Sequence, residues 1–138
     1  MVMRPILIDT NAYVAFRRGD PSILEVIQHA EILAISPIVL GELLGGFECG
    51  NRTTKNLNEL QQFLQSSRIR VLSITPDTAK FYAQIYSGLK NKGHPIPSND
   101  MWIAAQALEN GCVLCSYDKH FKAIEGLIYG FALAELSI

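Results

Sequence analysis

Ile6-Leu7-Ile8-Asp9-Thr10-Asn11 is the stretch from which the rest of the chain can be read. Three consecutive apolar residues suit a short strand covered on both faces, as in a parallel sheet between helix layers. A carboxylate directly after such a strand falls at its carboxyl end, the edge where open α/β sheets bind ligands. Such a fold requires more short apolar runs downstream, with helices between them.

The chain supplies them. Asp20-Pro21 opens a helix, with Asp as cap and Pro in the first turn, and Ile23, Leu24, Ile27 and Ala30 form its apolar face. Residues 32–35 read as a second strand. Ser36-Pro37 starts a helix expected to end near Gly45-Gly46. Leu57, Leu60, Phe63 and Leu64 mark another amphipathic helix. Residues 71–74 read as strand three, and Thr75-Pro76 caps a helix carrying Ala79, Tyr82, Ile85, Tyr86 and Leu89 that ends before Gly93. A turn with two prolines leads to Ser98-Asn99-Asp100 and a helix with Ile103, Ala104, Ala107 and Leu108 inward. Gly111 stands where its C-terminal cap belongs. Residues 112–115 are strand four, a short helical turn follows Asp118, and a last strand is expected near residues 127–129. Strands alternating with helices predict an α/β fold with a central parallel sheet and helices on both faces.

At 138 residues the chain reads as a single domain over 1–138. It is 49% hydrophobic and 18% charged, which supports a packed core and argues against disorder. Its net charge of −1 excludes binding of nucleic acid by bulk positive charge, but not through a few basic residues and a metal. No apolar run approaches a membrane span, and the apolar start is too short for a secretory signal because Asp9 ends it. Cys49, Cys112 and Cys115 form no disulfide framework. A cytoplasmic protein with reduced thiols and no membrane partner is expected.

The acids carry the chemistry. Asp9 follows strand one, Asp118 follows strand four, and Asp100 opens the helix that feeds strand four. All three can reach the carboxyl edge. Each alone has an ordinary role as a cap, turn or first-turn acid. Glu42 shares a helical face with Ile38 and Val39, so it is expected to point toward an apolar side, where an unpaired carboxylate is costly. Several carboxylates at one edge repel one another. A hard divalent cation such as Mg²⁺ or Mn²⁺ removes the conflict, activates water and offsets charge on a phosphodiester. Thr10, Asn11, Asn99 and Ser116 lie beside the acids and can orient carboxylates or water, or act simply as caps.

Four motifs now resemble those of the PIN-domain ribonucleases. They are Ile8-Asp9-Thr10-Asn11, Glu42 in the helix after strand two, the run from Pro97 through Asp100 to Ala105, and the run from Leu114 through Asp118 to Phe121. Length and spacing are most similar to the VapC-type toxins of that family. The resemblance implies a three-layer α/β/α sandwich and a Mg²⁺- or Mn²⁺-dependent endoribonuclease. It also implies a homodimer and a cognate antitoxin that blocks the active site. Asp9, Glu42, Asp100 and Asp118 would form the catalytic, metal-binding pocket. Ser116 stands where the family often has Thr and keeps the hydroxyl.

Arg17, Arg18 and Lys119 are the basic residues best placed for RNA phosphates, since they follow Asp9 and Asp118; Arg52, Lys90, Lys92 and Lys122 are further candidates. Tyr13, Phe16 and Trp102 can stack on bases, although packing is the commoner fate of such aromatics. His94 and His120 read as loop or surface histidines, because hard-metal sites favour oxygen. Cys112 and Cys115 lack a second Cys/His pair and read as small buried residues. A phospho-accepting receiver domain would need an acid at the end of strand three, where Ile74-Thr75-Pro76 stands. A PIN-like scaffold that binds RNA or a partner without cutting is the alternative to the nuclease.

Overall fold

The computed structural model describes residues 4–136. Met1, Val2 and Met3, the start of the segment read as too short for a signal, lie outside the described residues, as do Ser137 and Ile138. Five parallel strands, β1 (Ile6–Ile8), β2 (Leu33–Ile35), β3 (Ile69–Val71), β4 (Val113–Cys115) and β5 (Tyr129–Gly130), form one sheet in the order β3-β2-β1-β4-β5. Helices α1 (Thr10–Arg17), α2 (Pro21–His29), α3 (Pro37–Cys49), α4 (Thr53–Leu64), α5 (Pro76–Lys92), α6 (Ser98–Asn110) and α7 (Leu133–Leu136) flank it. A 3₁₀ turn covers Lys119–Ala123. The expected α/β/α architecture is what the chain adopts.

Strands β1, β2 and β4 are buried along their whole length, as apolar runs between two helix layers must be. The helices begin where the cap signals stand. Asp20 accepts from the backbone N–H of Ser22 at 2.9 Å, and Ser36 accepts from that of Ile38 at 3.0 Å. Thr75 and Thr78 form a reciprocal capping box around Pro76. Gly93 and Gly111 both close their helices at φ 66, where a side chain would be strained.

Several elements differ from the expectation: helix α7 is not among the expected elements, β5 (Tyr129–Gly130) lies later than residues 127–129, and α1, β3 and α3 also depart from it. Helix α1 carries one local signal, the Asp9 cap, on residues that are middling helix formers (Thr, Asn, Tyr, Val and Phe). It forms because Tyr13 and Phe16 pack against Phe63 of α4, with ring centroids 5.2 and 5.6 Å apart. Strand β3 lies two residues earlier than expected, because Leu33 pairs with Ile69 and Ile35 with Val71. Leu72 N–H still donates to Ile35 O at 3.0 Å, and beyond that bond the carbonyls of Leu72 and Ser73 are taken by Gln106 Nε2 at 2.9 and 3.4 Å instead of by a strand. Helix α3 continues through Gly45-Gly46 to Cys49.

The sheet order sets the site. The chain winds outward from β1 through β2 to β3, then returns to the other side of β1 for β4 and β5. The reversal between β1 and β4 leaves a crevice at their carboxyl ends, the general ligand position in open α/β sheets. Ile8 pairs with Cys115, so the next residues, Asp9 and Ser116, face each other across that crevice. Ser116 N–H is held by Gly130 O at 2.9 Å, and a Cβ at Gly130 would stand 2.4 Å from Glu135 Cβ. The close approach of α7 to β5 therefore requires glycine there.

Candidate active site

Asp9 caps α1 as well as ending β1. Its Oδ1 accepts from Ala12 N–H at 2.8 Å, and the Ser116 hydroxyl also favours its ionised form. Burial outweighs both: only 6% of Asp9 is exposed, and desolvation pushes its carboxyl from the ordinary 3.8 to about 6. Asp100 and Asp118 add repulsion in the same direction.

The other acids arrive from separate elements. Asp100 sits in the first turn of α6, where the helix dipole favours an acid. Burial nonetheless raises its pKa; His120 opposes this, while Glu42 and Asp118 reinforce it. Asp118 caps the 3₁₀ turn, accepts from His120 N–H at 3.3 Å, and takes its own backbone bond from its N–H to Ser116 Oγ at 3.0 Å. Glu42 projects from the middle of α3. It accepts from Thr10 Oγ1 at 2.6 Å and from Asn99 Nδ2 at 3.4 Å.

The four acids, with Thr10, Asn11, Asn99 and Ile103, line one open cleft of about 470 Å³. Glu42 corrects an expectation: it does not face an apolar side. Helix α3 buries Val39 and Leu43, and Glu42 lies exposed at the edge of that stripe, looking into the cleft.

His120 is the residue that motif reading left aside. Its Nδ1 stands 2.9 Å from Asp118 Oδ1, and its Nε2 stands 2.9 Å from Asp100 Oδ2, a close approach not aligned as a hydrogen bond. Ligand atoms of Asp100, Asp118 and His120 fall within 4.8 Å of one another, a spacing that could hold one metal ion. Its position two residues after Asp118 was the available signal. Of the cations proposed for RNA, none lines this cleft: Lys119 is exposed on the 3₁₀ turn, and Arg17 pairs with Glu59 at the far end of α1. Tyr13 is buried against Phe63, and Trp102 stacks on Tyr82 at 4.2 Å, so both pack within the fold.

An α/β/α sandwich with acids converging at its switch point defines a class, and sequence comparison agrees with it. The PIN domain family model matches residues 6–127. The chain belongs to the PIN domain family. Ribonuclease VapC2 of Rickettsia felis is 32% identical over 127 residues, covering 88% of this chain and 93% of that protein. Ribonuclease VapC1 of the same organism is 34% identical over 125 residues, covering 88% and 92%. Among solved structures, VapBC2 of Rickettsia felis bound to a promoter DNA fragment superposes with a TM-score of 0.80 at 29% identity, covering 91% of this chain and 96% of that one. DNA-bound VapBC from Salmonella typhimurium has the same TM-score at 27% identity, covering 94% and 100%.

Proposed function

We propose that the chain is a Mg²⁺- or Mn²⁺-dependent endoribonuclease and the toxin of a toxin–antitoxin pair. The observation that carries this is the convergence of Asp9, Glu42, Asp100 and Asp118, from four separate elements, on one cleft. The similarity to VapC ribonucleases supports RNA as substrate, and the similarity to VapBC structures supports an antitoxin partner.

The donor set fits a hard cation. Asp9, Asp100 and Asp118 offer carboxylate oxygens that repel one another without one, and His120 adds a nitrogen that Mn²⁺ accepts. When bound, the cation would supply an acidified water and offset charge on the phosphodiester. Ala12 N–H and Ser116 hold Asp9 in place, and His120 braces Asp100 and Asp118. Glu42, pinned by Thr10 and Asn99, stands on the facing wall, suited to accept a hydrogen bond from attacking water.

A homodimer belongs to the same reading, since the resemblance to VapC-type toxins implies one. Among the described residues no helix is long and apolar enough to cross a membrane. The deciding experiment is cleavage of total RNA with Mg²⁺ or Mn²⁺, with EDTA and Asp9→Asn as controls. Cleavage that EDTA and Asp9→Asn abolish supports the reading; equal cleavage by Asp9→Asn overturns it.

A further inference from the structure

The carboxyl edge of the sheet carries two aromatics as well as the acids. Tyr117 stands two residues past the end of β4 and Phe131 one past the end of β5, and Cys115 pairs with Gly130, so both rings fall at the same edge. They meet edge to face, with centroids 4.9 Å apart and planes at 80°. Together they wall a hollow of about 520 Å³ whose other side is α1 and the turn after it, through Asn11, Ala15, Arg18 and Asp20.

The backbone on either side of Tyr117 is fixed. Ser116 N–H donates to Gly130 O at 2.9 Å, and Asp118 N–H donates to Ser116 Oγ at 3.0 Å. Behind it, the N–H groups of Phe131 and Ala132 both donate to Glu135 Oε1 at 3.0 Å. Tyr117 is nevertheless 53% exposed. A single exposed aromatic is ordinary surface. A ring already held by its neighbours loses little further freedom when a second ring stacks on it.

The hollow suits a base rather than a phosphate. Arg18 and Asp20 cancel in formal charge, and Asp20 is committed to the first turn of α2, where it accepts from Ser22 and Ile23 N–H. What remains is a π face and the Asn11 amide, which offers a donor and an acceptor. Among the described residues that amide has no hydrogen-bond partner. Leu44, Val71, Ile74 and Tyr86, the other exposed large hydrophobics, do not line this hollow. It therefore lacks the extended apolar patch that a protein partner covers.

Its position ties it to the acids. Asn11 lines both the hollow and the acidic cleft. Tyr117 immediately precedes Asp118, so their Cα atoms are about 3.8 Å apart. A strand with one phosphate among the acids can lay a neighbouring base against Tyr117.

We infer that Tyr117 is a base-binding residue, stacking an unpaired base of the RNA strand whose phosphate lies at the acidic cleft, with Asn11 at the shared rim to hydrogen-bond that base's edge. This deepens the ribonuclease reading and rests on it for the identity of the strand. Stacking accepts any base but needs it unpaired, so the site selects single-stranded RNA over duplex rather than one sequence.

The test is a single-stranded 12-mer RNA carrying 2-aminopurine at one position at a time, titrated with the full chain in EDTA. The fluorescence of 2-aminopurine falls when it stacks. Wild type is expected to quench one position most strongly. Tyr117→Ala is expected to lose that quenching and to bind roughly tenfold more weakly. Tyr117→Phe keeps the ring and is expected to retain both, whereas Tyr117→Leu keeps only apolar bulk and is expected to lose the quenching. Removing the base at the quenched position should weaken wild type about as much as Tyr117→Ala does, and should leave Tyr117→Ala unchanged. No quenching in wild type, or wild-type affinity in Tyr117→Ala, overturns the proposal. So does Tyr117→Leu that quenches like wild type. So does Tyr117→Ala that binds RNA normally but turns a dimer into a monomer by light scattering, which assigns the ring to a second copy of the chain. Tyr117-dependent stacking by a chain that never cleaves with Mn²⁺ keeps the base site and removes the nuclease. Cleavage lost in Asp9→Asn, with RNA binding indifferent to Tyr117, removes the base site and leaves the nuclease.

Discussion

The two ends of α1 hold like charges together in opposite ways. At its N-terminus, Asp9 is nearly sealed from water beside Asp100 and Asp118, and desolvation raises its carboxyl to about 6. At its C-terminus, Arg17, Arg18, Arg52 and Lys55 are all exposed. Water and salt screen their repulsion at little cost. The helix dipole favours both placements, acid first and base last. Burial makes the difference. The acidic end stores electrostatic strain that a cation would relieve, whereas the basic end is an exposed surface whose repulsion water already screens.

The contrast breaks first on activity. Asp9→Asn or Asp100→Asn should lower RNA cleavage by at least about a hundredfold, measured as kcat/KM with Mn²⁺ present.

Stability should move the other way at the acidic end. Asn keeps the cap on α1 but removes the buried charge. In EDTA at neutral pH, Asp9→Asn should therefore be more stable than wild type by about 2 kcal/mol, and should lose the wild type's rise in Tm on adding Mn²⁺. The same shift gives a pH signature. The folded carboxyl titrates near 6, above the ordinary 3.8, so the folded chain holds the proton more tightly than the unfolded one. Metal-free wild type should gain stability as pH falls through 6 toward 4, and Asp9→Asn should gain less; urea midpoints across that range would show it.

A smaller effect sharpens the role of the imidazole. His120→Ala removes the brace between Asp100 and Asp118, and should weaken Mn²⁺ binding roughly tenfold by calorimetry. The smallest effects belong to the exposed pair. Breaking Arg17–Glu59 with Glu59→Ala should change unfolding stability by no more than about 1 kcal/mol.

Much of this was legible along the chain. Asp20-Pro21, Ser36-Pro37 and Thr75-Pro76 announce helices through local hydrogen bonding alone, so α2, α3 and α5 start where the sequence places them. The fully apolar triplets likewise announce β1 and β4, because burial on both faces leaves no room for a polar residue. Helix α1 was not legible, because beyond the Asp9 cap its reason to form is Phe63, some fifty positions away. The start of β3 depends on its register with β2 and on Gln106, which no local pattern carries.

For the site, sequence order alone brought Asp9, Asp100 and Asp118 to the carboxyl edge, since strand direction and crossover handedness leave few alternatives. The tertiary structure decided what each group does there. It turned Glu42 outward onto Thr10 and Asn99, set His120 between two acids, and buried Asp9 deeply enough to shift its proton. It also joined the cations of α1 to those at the start of α4. Hydrophobic pattern and capping act within a few residues, so the sequence by itself determines the elements and their order. Desolvation and charge pairing depend on distances between elements far apart in the chain, and only the packed fold determines those.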